Sequence, residues 1–211
     1  MSSWFTSGPE IVYPTVPSTP IATGVVEGQA TDAGLMPELL TQLNAKVAEF
    51  SGFCSSQPEE WEAFFTETKG VKGLRKFVEG QDLAVVRSEA VMPYNIVDVA
   101  AFFASSDNIK AIDEMFDGSE VLQKLSAHSW LSVDKVKGVW PAVSPRDLLE
   151  MYNWRLLDDG SVLYFHFSVV DESLKPVDAT GTFVRAHCIV MGYFLRPAAD
   201  GAGTDVRMIF S

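Results

Sequence analysis

The chain has 211 residues, 47% of them apolar and 21% charged, a balance that suits one folded domain with a sizeable core and excludes wholesale disorder. Twenty-eight acids against 16 Lys and Arg give a net charge of −12, and the densest basic run, 69–76, carries only four cations. No nucleic-acid partner is expected, because phosphate binding needs a basic face; stable docking on anionic lipid is disfavoured too, which leaves room for a transient apolar membrane contact.

Residues 1–34 are rich in Ser, Thr, Pro and Gly without strand or helix periodicity, and read as a flexible leader to a domain at 35–211. Pro37 and Glu38 open a helix: Leu39, Leu43, Val47 and Phe50 form one apolar stripe, and Ser51-Gly52 mark its end. Between 61 and 92 three β-rich runs, WEAFFTET, LRKFV and LAVVRSEAVM, are separated by turn residues, which predicts three antiparallel strands. Asn95 then suits the N-cap of a helix whose Ile96, Val99, Ala100 and Phe103 share a face, and a short helix is expected near 108–116.

After Gly118 six consecutive runs read as strands, the fifth spanning 180–197 without a break, and Asp159-Gly160 marks a hairpin. The sum is an α+β fold with about nine clustered strands, hence an antiparallel sheet, with a helix before it and one or two inserted after the third strand. Several strands are apolar on both parities. Either helices cover both faces or a curved sheet wraps an apolar cavity with a helix as plug.

Nucleophile elbows, phosphate loops and zinc-protease motifs are absent from the sequence, and His128, His166 and His187 have no short-spaced pairing, so neither catalysis nor a metal nor a cofactor is expected. The acid pairs Asp158-Asp159, Glu59-Glu60 and Asp113-Glu114 suit turns and solvated faces. Cys54 and Cys188 read as reduced, buried thiols. The amino terminus lacks the basic and apolar regions of a secretory signal, and no apolar run is long enough to span a bilayer; the expected address is cytoplasmic.

One stretch is more specific than the rest. KVKGVWPAVSPRDLLEMYNWR, 135–155, followed in order by DGSVL at 159–163, Pro176, VRA at 184–186, GYFLRP at 192–197 and Gly203-Thr204-x-Val206, resembles the START family of lipid-transfer domains over about 37–211. The resemblance implies a helix-grip fold, a strongly curved antiparallel sheet around a cavity for a single lipid, sterol or phospholipid. It also implies a long carboxy-terminal helix beyond Ser211, so a truncated gene product is expected.

Several candidate residues follow from the same resemblance. Asp113, in the pair Ile112-Asp113 where the family often has Trp-Asp, matches an acid that contacts polar headgroups in some members. Arg146 matches a position that pairs with a cavity acid in sterol binders; that acid would fall near Ala111, and the arginine that phosphatidylcholine binders use falls at Ile109. Read alone, Arg146 next to Asp147 also suits a strand-entrance corner held by an ion pair. Tyr152, Trp154, Tyr164, His166, Met191 and Tyr193 are candidate wall residues. The expected function is to bind one lipid and carry it between membranes without covalent chemistry; the alternatives are a lipid-sensing regulatory module of a larger protein, an enzyme using the same cavity, or a chain that binds nothing stably.

Overall fold

A computed structural model describes residues 37–211 except 69, 127, 140, 200 and 202, and excepting the side chains of 66–68; the leader expected at 1–34 and Trp140 of the KGVWP run lie outside the described residues. The order is α1 (Pro37–Ser55), a 3-10 turn (Pro58–Glu60), β1 (Glu62–Thr68), β2 (Val71–Lys76), β3 (Val85–Met92), α2 (Ile96–Ala104), α3 (Ser106–Ile112), β4 (Phe116–Lys124), β5 (Ser129–Val136), β6 (Arg146–Leu156), β7 (Val162–Ser168), β8 (Val184–Arg185), β9 (Met191–Pro197) and β10 (Thr204–Phe210). The strands form one sheet in the order β1-β2-β3-β10-β9-β7-β6-β5-β4; every pair on this path is antiparallel, while β8 pairs with β6 in parallel. The α+β expectation holds, with helices placed before the sheet and after its third strand.

Alternation along the strands gives the sheet two differently dressed faces. The outer face receives α1, whose Leu39, Leu43, Val47, Phe50 and Cys54 bury against Leu131 and Val133 of β5, Leu149 and Met151 of β6, Leu163 and Phe165 of β7 and Ile209 of β10. Phe50 stacks on Phe165 at 5.1 Å between ring centres. The inner face carries α2, whose Val99 and Phe103 pack with Tyr152, Val162, Tyr164, Leu195 and Val206. Strands apolar on both parities are thus explained by cover on both sides.

Three expectations need correction. The helix 37–50 runs on to Ser55, because Arg87 of β3 donates to the carbonyls of Phe53 and Ser56, at 3.3 and 2.7 Å, and Arg207 of β10 to that of Cys54. Those carbonyls have no partner inside the helix, so the two arginines add to a local cap, the Ser56 hydroxyl donating to the Phe53 carbonyl at 2.9 Å. The helix expected near 108–116 lies at Ser106–Ile112, started by the Ser105 hydroxyl accepting from the Asn108 N–H, and Phe116 already belongs to β4. The single strand expected over 180–197 is two, β8 and β9, separated by an irregular 186–190. That break carries Cys188 to the side of Glu150 and His166, the face that Met191 and Tyr193 share, against simple alternation.

Two glycines are required where they stand. Gly160 has φ of 80° in the Leu157–Ser161 hairpin, where Asp159 accepts the Ser161 N–H at 2.9 Å. Gly192 lies so close to β7 that a Cβ would stand 2.3 Å from the Tyr164 carbonyl oxygen and 2.5 Å from the Phe165 Cα.

Candidate functional site on the inner face

Register places the inner-face side chains in two adjacent rows. Trp130, Tyr152, His166 and Met191 are successive cross-strand partners on β5, β6, β7 and β9. Trp154, Tyr164, Tyr193 and Met208 form the next row, on β6, β7, β9 and β10. Cross-strand neighbours on one face stand about 5 Å apart, so rings set in rows meet. Tyr152 stacks on Trp130 at 5.2 Å and on His166 at 4.5 Å; Tyr193 lies 6.4 Å from Tyr164. Phe103 of α2 closes on Tyr193 at 3.7 Å, nearly parallel.

Polar groups occupy one end of this aromatic bed. Asp134 of β5, buried, accepts hydrogen bonds from the Tyr152 phenol and from Ser119 of β4. Ser132 donates to the Glu120 carbonyl at 3.0 Å and touches Ser119 at 2.6 Å. Glu150 of β6, also buried, holds Oε2 at 2.9 Å from Nδ1 of His166, while its Oε1 has no hydrogen-bond partner among the described residues. Cys188 completes the group, its sulfur within 4.8 Å of the donor atoms of Glu150 and His166.

Burial and mutual charge set the titration of this end. Burial, then the Glu150 charge, raises the Asp134 carboxyl above 3.8 against the lowering by its Ser119 and Tyr152 hydrogen bonds. Burial alone would lower the His166 imidazole, but Glu150, through charge and hydrogen bond, and then Asp134 carry it above 6.5. Burial, followed by the nearby acids, pushes the Tyr152 and Tyr164 phenols well above 10, and Tyr193, chiefly by burial, to about 12. The phenols therefore stay neutral, and the Glu150 carboxylate favours the charged form of His166 against the effect of burial.

Six of the eight candidates, Tyr152, Trp154, Tyr164, His166, Met191 and Tyr193, stand together on this face. The other two do not join them. Asp113 is exposed at the end of α3, where its carboxylate accepts the Met115 N–H at 2.8 Å, and it reaches the bed only through its field on Tyr193. Arg146 is turned back on its own corner, donating to the Ser144 carbonyl at 2.6 Å. The ion pair at that corner is instead Asp147 with Arg185, bidentate at 3.0 and 2.9 Å. Ala111 is exposed, and the acids facing into the bed are Asp134 and Glu150, partnered by Tyr152 and His166 rather than by Arg146.

Asp134, Glu150 and Cys188 were not among the candidates. Alternation supplied a signal for two of them, since Glu150 shares parity with Tyr152 and Trp154 on β6, and Asp134 with Trp130 on β5. No such signal existed for Cys188, whose face depends on the break at 186–190.

A curved antiparallel sheet gripping helices, with an aromatic inner face and a few buried polar groups at one end, defines the class of helix-grip domains. The chain belongs to the START domain family, whose family model matches residues 41–211. Its fold is similar to that of human StAR-related lipid transfer protein 5 (TM-score 0.68, 17% identity, 83% of this chain and 82% of that one). It is similar also to human STARD10 (0.66, 14%, 77% and 64%). A third similar structure is a fragment of a STAR-related lipid transfer protein from Xanthomonas axonopodis (0.59, 21%, 72% and 81%). No curated protein sequence matches the chain.

Proposed function

We propose that the chain binds one lipid molecule, a sterol or a phospholipid, against its inner face and transfers it between membranes from the cytoplasmic side. The observation that carries this reading is the aromatic bed ending in the buried Asp134–Tyr152 and Glu150–His166 pairs. Each buried CH₂ contributes about 0.8 kcal/mol, so an apolar bed holds the hydrocarbon, while the buried polar groups reward a headgroup or hydroxyl that satisfies them. The free Oε1 of Glu150 is the acceptor such a hydroxyl would meet. Binding and release need no bond made or broken.

Transfer needs brief contact with a bilayer, and one end of the sheet has the surface for it. Exposed Val139 and Val143 lie in the β5–β6 loop just before β6, and exposed Val184 of β8 pairs with the first residue of β6. The leading test is native mass spectrometry with lipid extraction on chain purified from cells without detergent. One co-purified lipid per chain is the expected result, and its mass names the class. A chain that emerges empty, and takes up neither fluorescent sterol nor phospholipid from vesicles, overturns the reading.

A further inference from the structure

We propose that Glu150, His166 and Cys188 form a binding site for a thiophilic divalent cation of the Zn²⁺ type. The three donors come from neighbouring stretches of the sheet: β6, β7 and the irregular segment leading into β9. Cys188 and Ser168 of β7 are tied by two hydrogen bonds, Cys188 N–H to the Ser168 hydroxyl at 2.8 Å and Ser168 N–H to the Cys188 carbonyl at 2.9 Å. Glu150 is the cross-strand partner of Ser168 from the other side, and His166 lies two residues back on the same strand. The sheet therefore fixes three side chains around one point. Their carboxylate oxygen, imidazole nitrogen and sulfur lie within 4.8 Å of one another.

The donor set and its satisfaction point to a cation. A carboxylate, an imidazole and a thiolate together suit a borderline-soft, tetrahedral ion, and three protein donors leave one position for water or a ligand oxygen. Glu150 is 1% exposed yet Oε1 lacks a hydrogen-bond partner among the described residues, an arrangement that costs stability in a buried site unless something else satisfies the oxygen. The Cys188 thiol interacts with the Glu150 carboxylate and makes a long contact, 3.7 Å, with the Ser211 carbonyl. Binding requires the thiol to lose its proton and His166 to present a neutral nitrogen, so protons leave to solvent as the ion enters. No motif in the sequence announces this site, because its ligands are joined by register rather than by spacing.

The test is a Co²⁺ titration of the reduced, chelator-stripped 211-residue chain without lipid. One Co²⁺ per chain is expected, with a thiolate-to-cobalt charge-transfer band and the visible bands of a four-coordinate ion, both erased by Zn²⁺. Cys188→Ser removes the charge-transfer band, while Cys54→Ser, a thiol under α1 on the opposite face, leaves it intact. Glu150→Gln and His166→Gln weaken binding by on the order of a hundredfold, since even the groups that orient metal ligands cost roughly 10–100-fold. In the unmodified chain Zn²⁺ also slows maleimide labelling of Cys188 and not of Cys54, a readout that does not depend on the folding of any variant. No charge-transfer band at saturating Co²⁺, a band that survives Cys188→Ser, or unprotected Cys188 overturns the proposal. The lipid reading is judged separately by co-purified lipid, so either can fall without the other.

Discussion

Glu150 is the chief influence that keeps the His166 imidazole protonated against burial. Its charge is the main influence raising His166 against burial, and the second influence raising Asp134 after burial. Both groups hold their protons more tightly in the folded chain than in the unfolded one, so stability falls as pH rises. The Asp134 contribution is complete below its ordinary 3.8 and is lost as pH climbs through its raised value; that of His166 is complete below 6.5 and is lost as pH climbs through its own. Denaturant midpoints across that range, in metal-free protein, should descend in those two windows. In Glu150→Gln the imidazole loses its chief support while burial remains, so its titration, followed by NMR of the ring protons, should move below 6.5. An unchanged His166 titration would show that Glu150 is not its partner. These couplings are half legible in the sequence: His166 is a candidate wall residue there, but no local pattern names its acid.

At the level of elements, α1 shows where local reading stops. Its apolar stripe was plain from Leu39, Leu43, Val47 and Phe50, and the structure buries all four. Its end was not, because two of the donors to its last carbonyls, Arg87 and Arg207, are brought in by β3 and β10. Arg87 is fully buried, spread over the Trp61 ring at 5.4 Å and paired with Glu89. Arg87→Met keeps the bulk but leaves the Ser56 carbonyl without its charged donor, at about 1–3 kcal/mol for a group left unsatisfied, while the Phe53 carbonyl keeps the Ser56 hydroxyl. Hydrogen exchange should quicken in the last turn of α1, 52–55, and leave 39–47 protected. Uniform loss of protection along α1 would mean that the arginine holds the whole helix rather than its end. The strand over 180–197 fails for a related reason. Its residues have strand character throughout, but β8 is drawn to the start of β6 by Arg185 and Asp147, and the chain must break to reach β7 as β9.

For the molecule as a whole, the grouping of strands and inserted helices was readable from runs and turns. The order was not. β3 and β10 are neighbours only because the chain returns after α2, α3 and six further strands, and the inner rows exist only once that order is set. Exposed valines stand near the start of β6, Val139 and Val143 in the loop before it and Val184 on the strand paired with it. Val139 and Val143 are 52% and 44% exposed, yet their backbones bond to each other at 2.8 and 2.9 Å. The paired backbone of these two valines lowers the cost of bringing them into an apolar phase, since unpaired amides are the costly part of burying backbone. Placing charge there should therefore penalise the bilayer encounter and nothing else. In Val139→Asp/Val143→Asp, two apolar groups worth about 1.5 kcal/mol each on burial are lost and two charges gained. Transfer of lipid between vesicles should slow by on the order of tenfold or more, because every 1.4 kcal/mol is a factor of ten. Thermal stability and the amount of lipid co-purified should stay as in the unsubstituted chain, since both positions lie off the core and off the inner face. Transfer at an undiminished rate would remove this end of the sheet as the point of contact, and loss of bound lipid along with transfer would place the valines in the binding site itself.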